Sequence, residues 1–308
     1  MIYNEITLKG PIIRTKMVKN EKGYDEMMLV MGVIRGFRHI GDKRKDVKID
    51  RPVIMTRNPE KINKILEWNK NDIIFVKGAI TTRPRLKPSI CPFCKTRNEK
   101  EGLVTYIEPI FIEKEFTSAD DNSSIQYLNS IREISNQARV AGNLCRDPKK
   151  ITVKNGPQVT QYPLAVERKF IIAEDPPDLT TDFPWVKVYG TNALDDRNRL
   201  KLGSEVFIDG LLQTRTYNQK SVCINCNKLY EWKDRALEIV PYETEYVNNY
   251  YSVEEAAELE IQRKNDRIKA LGLDKWMNGE TDIEDYDNDE ITQEDIEAGF
   301  DAYEETEE

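Results

Sequence analysis

The sequence predicts an all-β protein built from two copies of one β-rich unit and a C-terminal acidic tail. The 308-residue chain matches itself at a constant offset of 132 residues, which places Gly10 on Gly142. The same offset places a Cys-x-x-Cys pair at 91–94 on a second pair at 223–226. Because the matches fall at the start, middle and end of each unit, they indicate a tandem duplication.

Four segments follow from the repeat and from the distribution of charge. The first unit covers residues 1–116 and the second covers residues 136–247. Residues 117–135 form a polar linker, in which Ser124–Ser135 has apolar residues on one face and predicts a short helix. Residues 248–308 predict a helix followed by a disordered acidic tail, since so many like charges cannot be buried.

Each unit predicts five strands, with a helix between the third and the fourth. The strands are Ile6–Ile13, Met27–Ile34, Pro52–Thr56, Ile73–Thr81 and Val104–Ile112, then Ala138–Cys145, Val159–Val166, Trp185–Tyr189, Glu205–Gln213 and Ala236–Tyr242. The stretches Pro59–Asn69 and Ala193–Leu202 are long enough for the helices. This order predicts two tandem five-stranded OB-fold Greek-key barrels, with a β-sandwich as the alternative. A glycine inside each fourth strand predicts a bend or bulge.

The composition excludes several classes of function. There is no apolar run long enough for a transmembrane helix and no secretory signal at the N-terminus, and the five cysteines, an odd number, favour a reducing, cytoplasmic location. His39 is the single histidine, and no Gly-rich nucleotide-binding loop is found, so we expect no enzymatic activity.

Charge divides the chain into a basic body and an acidic end. Residues 252–308 contain 21 acidic and 5 basic residues, whereas residues 1–251 contain 41 basic and 33 acidic residues. The net charge of +8 on residues 1–251 suggests a polyanionic partner, with an ordinary solvated surface as the alternative.

Four stretches of the second unit carry sequence motifs. Gly142-Asn-Leu-Cys-Arg-Asp-Pro148 fits G-x-L-x-x-D-P, and Tyr162-Pro-Leu-Ala-Val-Glu-Arg168 fits F-x-L-A-V-x-R with a tyrosine in first place. Phe183–Gly190 resembles W-x(5)-F/W-G with a phenylalanine first and a tyrosine before the glycine, and Gly203–Tyr217 fits G-x-x-V-x-I-x-G-x-L-x-x-R-x-W with a tyrosine last. In this order, the motifs resemble those of the bacterial single-stranded DNA-binding protein family.

The resemblance implies sequence-independent binding and protection of single-stranded DNA during replication, recombination or DNA transfer. Such binding needs cations for the phosphates and aromatic faces for the bases. The implied stacking residues are Phe183, Tyr189 and Tyr217, to which we add Trp185 because it lies two residues after Phe183. The expected phosphate contacts are Arg146, Arg168, Lys187, Arg215 and Lys220. Burial of the rings in a barrel core or an interface is the alternative.

The first unit has arginines where the second unit has rings. Its candidate nucleic-acid residues are Arg14, Arg51, Arg57, Arg83 and Arg85. Arginine can both stack on bases and pair with phosphate. We therefore expect the first unit to bind mainly by charge and the second mainly by stacking. The basic, glycine-containing segment 35–45 between the second and third strands predicts an electrostatic flap.

Both Cys-x-x-Cys pairs lie in the loop between the fourth and fifth strands. Structural zinc takes four thiolate or imidazole ligands, and each unit offers two. Cys91, Cys94, Cys223 and Cys226 therefore predict one structural zinc ion shared by the two units. The alternatives are a zinc site between two chains, a redox disulfide within each pair, and pairs without a function.

The family resemblance also bears on partners and origin. Family members assemble four barrels, so two chains of this sequence would form a homodimer. An acidic tail is a family feature, but here it ends at Glu304–Glu308 without the family's acidic-Pro-Phe tip. The tail is expected to bind replication or recombination proteins or to compete for the basic grooves, with a solubilising role as the alternative.

The duplication and the cysteine pairs suggest a version of the family carried by a phage, plasmid or other mobile element. The alternative functions are an RNA-binding OB-fold protein and a replisome scaffold that acts mainly through its tail.

Overall fold

The computed structural model describes residues 2–19, 23–36, 48–151, 158–172 and 180–248, together with residues 258 and 261. The first unit contains helix α1 (Pro59–Leu66) and the strands β1 (Tyr3–Lys19), β2 (Asp25–Met31), β3 (Val33–Ile34), β4 (Ile49–Asp50), β5 (Val53–Thr56), β6 (Asp72–Ile90) and β7 (Arg97–Thr117). The strands β1, β2, β5, β7 and β6 pair in that order, and β6 pairs back with β1. This closed ring, with β5 parallel to β7, is an OB-fold barrel.

Two helices connect the units, α2 (Asp121–Ser130) and α3 (Arg132–Ser135). The expected linker helix over Ser124–Ser135 thus starts earlier and is interrupted at Ile131. The carboxylate of Asp120 accepts a hydrogen bond of 2.7 Å from the backbone amide of Ser123, which caps α2 and accounts for its earlier start.

The second unit repeats the first. It contains helix α4 (Thr191–Arg199) and the strands β8 (Asn136–Leu144), β9 (Lys149–Ile151), β10 (Val159–Glu167), β11 (Thr181–Asp182), β12 (Trp185–Tyr189), β13 (Glu205–Val222) and β14 (Leu229–Asn248). The strands β8, β10, β12, β14 and β13 close into a ring through the pairing of β13 with β8, and β12 runs parallel to β14. The predicted all-β OB-fold class is confirmed.

The predicted bulges lie at the central glycines of β6 and β13. The strand register shifts between Lys77 and Gly78 in β6 and between Asp209 and Gly210 in β13. A Cβ at Gly78 would lie 2.4 Å from the carbonyl oxygen of Glu108, so only glycine permits this close approach.

The two barrels share one continuous sheet because their first strands pair. β1 runs antiparallel to β8 from Tyr3 opposite Ala141 to Leu8 opposite Asn136. Six strands thereby lie side by side in the order β7, β6, β1, β8, β13 and β14. Their backbone hydrogen bonds hold the two barrels as one body.

The fourth and fifth strands of each barrel extend far beyond the predicted ends. We call residues 82–105 the first arm and residues 214–237 the second arm; each is a long antiparallel hairpin. The sequence prediction ended β6 at Thr81 and β13 at Gln213 and was wrong there, because the arms lack the run of apolar residues that marks the barrel strands. The arms contact each other through Lys87 and Asp234, whose Nζ and Oδ2 are 2.8 Å apart.

Two predictions concern residues that lie outside the described part of the chain. They are the flap at 35–45, apart from Arg35 and Gly36, and the helix with its acidic tail at 248–308, apart from residues 248, 258 and 261. Among the described residues, no helix has the length and apolar character needed to cross a bilayer.

Candidate nucleic-acid interface and cysteine cluster

Five predicted residues share one outer face of the second barrel, which we call the aromatic face: Trp185, Lys187, Tyr189, Arg215 and Tyr217. The first three alternate along β12 and therefore point to the same side of the sheet. The side-chain amide of Gln213, which lies two residues before Arg215, donates a hydrogen bond of 3.0 Å to the hydroxyl of Tyr189. This bond connects β12 to β13 across the face.

Each ring of the aromatic face has a predicted cation over it. The distance from cation to ring centroid is 5.2 Å for Arg146 and Trp185, 5.7 Å for Lys187 and Tyr189, and 5.0 Å for Arg215 and Tyr217. A cation held within about 6 Å of a ring centroid is attracted by the ring's quadrupole. The structure thus places three predicted cations on three predicted rings.

A buried carboxylate, Glu238 on β14, fixes the cations of this face. The guanidinium of Arg215 donates hydrogen bonds of 2.8 and 3.0 Å to its two oxygens, and the Nζ of Lys187 lies 4.0 Å away. Burial lowers the pKa of Lys187, and the charge of Arg215 lowers it further, while Glu238 acts in the opposite direction. Burial also raises the pKa of Tyr189, whose hydroxyl therefore stays protonated at neutral pH.

The first barrel carries an arginine cluster instead, formed by Arg57, Arg83 and Arg85 around the buried carboxylate of Glu26. Glu26 Oε1 lies 3.5 Å from Nε of Arg57 and 3.6 Å from Nη1 of Arg83, and Arg85 pairs with Oε2. Three positive charges thus surround one negative charge. The guanidinium of Arg83 also lies 5.5 Å from the ring centroid of Tyr106.

A second buried acid, Glu108, lies close to the arginine cluster. Its carboxyl accepts a hydrogen bond of 2.9 Å from the hydroxyl of Thr56. Burial raises the pKa of Glu108 to about 7, even though the charges of Lys61 and Arg57 act to lower it. Glu108 is therefore partly protonated at neutral pH.

The position of Arg168 contradicts its predicted role as a phosphate contact. Its side chain and that of Asp182 are each only 1% exposed, and Nε of Arg168 donates a hydrogen bond of 2.6 Å to Asp182. Since the guanidinium is enclosed by protein, it cannot reach a phosphate. Its role is to neutralise Asp182 inside the junction of the two barrels.

Other predicted residues lie away from the aromatic face. The backbone amide of Phe183 donates a hydrogen bond of 2.9 Å to the hydroxyl of Thr82, which places this exposed ring at the junction of the barrels. Arg51 makes the equivalent bond to Thr214, at 3.0 Å. Lys220 lies further along the second arm, where it pairs with Glu231 at 3.4 Å. Arg14 is half-buried on β1.

The four cysteines of the two pairs come together where the tips of the arms meet. The sulfur atoms of Cys91, Cys94, Cys223 and Cys226 all lie within 4.8 Å of one another. Cys94 Sγ lies 3.4 Å from Cys223 Sγ, and Cys91 Sγ lies 3.7 Å from Cys226 Sγ. Both of these short distances join different barrels.

Each cysteine pair is built on the same tight turn. The residue after the second cysteine, Lys95 or Asn227, has a positive φ of 59° or 55°. Its backbone amide donates to the carbonyl of the first cysteine of its pair, at 2.9 Å for Lys95 and 3.0 Å for Asn227. Hydrogen bonding from Thr96 to the sulfur lowers the pKa of Cys94 to about 6, whereas burial and hydrogen bonds with the other three thiols raise the pKa of Cys226 to about 11. Cys94 is therefore the thiol of the two that ionises more readily.

Five carboxylates that hold the cations in place were not predicted from the sequence: Glu26, Asp50, Asp182, Asp234 and Glu238. Only Glu238 could have been recognised from the sequence. Glu238 is an acidic residue inside the apolar run of the fifth strand, a position that acidic residues rarely occupy without a buried partner. The others lie at strand ends or on the arms, where an acidic residue is ordinary.

OB-fold barrels that carry cations and aromatic rings on one face are a recurrent architecture among proteins that bind nucleic acid strands. Residues 135–227 match the model of the Single-strand binding protein family. The matched residues cover most of the second barrel. The first barrel is tied to it by the 132-residue repeat and by the same strand order.

Curated relatives match the same part of the chain. Single-stranded DNA-binding protein 2 of Staphylococcus aureus strain COL is 36% identical over 85 residues, which are 28% of this chain and 60% of the relative. The single-stranded DNA-binding protein of Clostridium tetani is 36% identical over 86 residues, which are 28% of this chain and 57% of the relative. The matched segment thus spans less than two thirds of either relative.

A solved structure resembles both barrels. The wild-type single-stranded DNA-binding protein of Thermus aquaticus superposes with a TM-score of 0.50 at 19% sequence identity. The alignment covers 81% of this chain and 95% of that chain. At this level of identity the similarity concerns the fold.

Proposed function

We propose that this protein binds single-stranded DNA without sequence preference and protects it during replication, recombination or DNA transfer. The observation that carries the proposal is the set of three cation–ring pairs on the aromatic face. Bases stack on aromatic rings whatever their identity, and cations beside the rings meet the phosphates that follow. The names of the curated relatives support the same activity.

The two barrels divide this work. The aromatic face of the second barrel supplies the stacking surface, with Trp185, Tyr189 and Tyr217 as its rings. The arginine cluster of the first barrel supplies charge, and Glu26 keeps its guanidinium groups in place without cancelling their net positive charge. Phe183, Lys220, Arg14 and Arg51 extend the surface along the junction and the second arm.

The test is a titration of intrinsic fluorescence with oligo(dT), using the full chain at several salt concentrations. We expect quenching that saturates, and an affinity that falls as salt rises because counterions are released from the strand. Competition with oligo(U) of the same length separates DNA from RNA binding. If oligo(U) displaces oligo(dT) at equal concentration, the RNA alternative is supported. If deletion of residues 262–308 leaves no binding at low salt, the protein is a scaffold that acts through its tail.

We also propose that the four clustered cysteines bind one structural zinc ion. Tetrahedral zinc with bonds of about 2.3 Å to sulfur separates its sulfur ligands by about 3.8 Å. The distances of 3.4 and 3.7 Å between sulfurs of different barrels fit this geometry. Four thiolates leave no position for a substrate, so the ion would join the arms and take no part in chemistry. A site of free thiolates also favours a reducing compartment such as the cytoplasm.

A homodimer is the proposed assembly. The outer face of the six-stranded sheet carries four rings, Tyr3 and Phe207 with centroids 5.4 Å apart, and Phe75 and Phe111 with centroids 6.2 Å apart. Phe111 is 46% exposed. Aromatic residues that are partly exposed on one face of a sheet are typical of surfaces that pair with a second copy. Phe111→Glu should therefore halve the mass measured by light scattering, and an unchanged mass would contradict this assembly.

We propose further that the acidic tail recruits replication or recombination proteins.

A further inference from the structure

Arg35 belongs to the first barrel by sequence but lies against the second barrel in space. It follows β3 at the end of a first-barrel strand. Its positive charge acts on the hydroxyl of Tyr189 in the aromatic face, where it opposes the effect of burial on the pKa of that phenol. The next residue confirms the close approach, since a Cβ at Gly36 would lie 2.6 Å from the hydroxyl oxygen of Tyr242 on β14.

The guanidinium of Arg35 is held in a fixed orientation. Its Nε and Nη2 donate hydrogen bonds of 2.5 and 2.9 Å to the two oxygens of Asp50. Asp50 is itself bound to the second barrel, because its Oδ1 accepts a hydrogen bond of 2.7 Å from the backbone amide of Thr214. Thr214 immediately precedes Arg215 of the aromatic face. A chain of short contacts therefore fixes Arg35 relative to that face.

The equivalent position on the other side of the junction is closed. There Arg168 pairs with Asp182, and Asp182 accepts a hydrogen bond of 2.7 Å from the backbone amide of Thr82. The side chain of Arg168 is 1% exposed, whereas that of Arg35 is 27% exposed. Of these two related arginines, Arg35 alone has an edge open to solvent.

We propose that Arg35 is a phosphate-binding residue of the aromatic face, supplied by the first barrel, so that the main DNA site is built from both barrels. A guanidinium has five N–H donors, and the pair with Asp50 uses two of them. The remaining donors can bind a phosphate that follows a base stacked on Tyr189. This inference rests on the proposed function and adds a residue that the family motifs of the second barrel do not contain.

The test compares Arg35→Ala with the double variant Arg35→Ala/Asp50→Ala in the oligo(dT) titration. The double variant removes the buried carboxylate that the single variant leaves without its partner. Arg132→Ala, which removes a guanidinium from helix α3 between the barrels, is the matched control. We expect both Arg35 variants to bind about tenfold more weakly at low salt, and the slope of log affinity against log salt to become shallower by about 0.7. The control should keep the wild-type affinity and slope.

A double variant that binds with the wild-type affinity and slope overturns the inference and leaves the proposed function intact. If Arg35→Ala alone is then defective, Arg35 has a purely structural role. Failure of the wild-type protein to bind oligo(dT) at low salt would instead overturn the proposed function itself.

Discussion

Asp50 of the first barrel accepts two hydrogen bonds from Thr214 of the second, one from the backbone amide at 2.7 Å and one from the hydroxyl at 3.2 Å. Asp182 of the second barrel makes the same two contacts with Thr82 of the first, at 2.7 and 3.4 Å. The duplication has thus produced a reciprocal junction. Because each aspartate also pairs with an arginine of its own barrel, the junction fixes the orientation of both barrels.

The first prediction concerns the buried ion pair of this junction, Arg168 with Asp182. Asp182→Ala leaves Arg168 as a charge without its partner in the protein interior, and removing one member of a buried ion pair costs about 3–5 kcal/mol. We expect the free energy of unfolding, measured with urea, to fall by that amount. Asp209→Ala is the control, since Asp209 and Arg139 form an exposed pair, with side chains 48% and 42% exposed. Its cost should stay below about 1 kcal/mol. Equal costs for the two variants would show that the junction does not stabilise the fold.

The second prediction concerns the rings of the aromatic face. Tyr189→Ala and Tyr217→Ala should each weaken oligo(dT) binding by about 1–3 kcal/mol, because each removes a stacking surface. Tyr217→Phe keeps the ring but loses the hydroxyl, which donates a hydrogen bond of 2.8 Å to Asp234. It should therefore bind nearly as well as the wild type. Tyr127→Ala, on helix α2 between the barrels, is the control for loss of a tyrosine. A full effect from Tyr217→Phe would mean that the hydroxyl network, rather than stacking, provides the affinity.

Much of the fold could be predicted from the repeat and from apolar periodicity. Trp185–Tyr189 was predicted with the bounds that β12 has, and the bulge at Gly210 was expected from a glycine in an apolar strand. The arms could not be predicted in the same way. They have no continuous buried apolar face, and they are held by long-range contacts, namely the pairing of their strands and the cysteine cluster.

The candidate site was predicted in part, and the failures have a common cause. The motifs identified the rings and cations of β12 and β13, but the exposure of a cation depends on which carboxylate lies nearby in space. Arg168 fits the family motif and is nevertheless enclosed with Asp182. Arg35 fits no motif of the second unit, yet its neighbour Gly36 lies against Tyr242 of the second barrel. Sequence shows charge, whereas only the folded chain shows how the charge is paired.

The third prediction concerns pH. Burial raises the pKa of Glu108 to about 7 and that of Asp196, which lies between the hydroxyls of Tyr162 and Tyr246, to about 6. The folded protein therefore binds these protons more tightly than the unfolded chain does. Stability should fall as pH rises from about 4 to about 7 and then level off, as far as these two groups determine it.

The matched variant for the pH effect is Glu108→Gln. Glutamine keeps a hydrogen-bond partner for Thr56 and removes the charge that forms at high pH. At pH 8 this variant should be more stable than the wild type by about 1–3 kcal/mol, and at pH 5 the two should be nearly equal. The midpoint of urea unfolding, measured at both pH values, checks this. A variant less stable than the wild type at pH 8 would show that the ionised carboxylate is stabilised by Arg57 and Lys61.

The fourth prediction concerns the metal. The purified chain should contain one zinc ion per molecule, measured by mass spectrometry of the metal. Removing one pair of thiolates leaves two, too few for a structural site. Both Cys91→Ser/Cys94→Ser and Cys223→Ser/Cys226→Ser should therefore lose all of the zinc, whereas two separate sites would each keep their own ion. Cys145→Ser, which changes the fifth cysteine, should retain the full content.

Loss of the ion should loosen the arms and spare the barrels. After treatment with a chelator under reducing conditions, backbone amides of the arms should exchange with solvent faster, because the sulfur ligands no longer join the two tips. Amides of the paired strands β1 and β8 should keep their protection, since their hydrogen bonds do not depend on the tips. The mass of the assembly should not change. A halved mass on chelation would place the ion between two chains, and unchanged exchange in the arms would show that the ion does not join them.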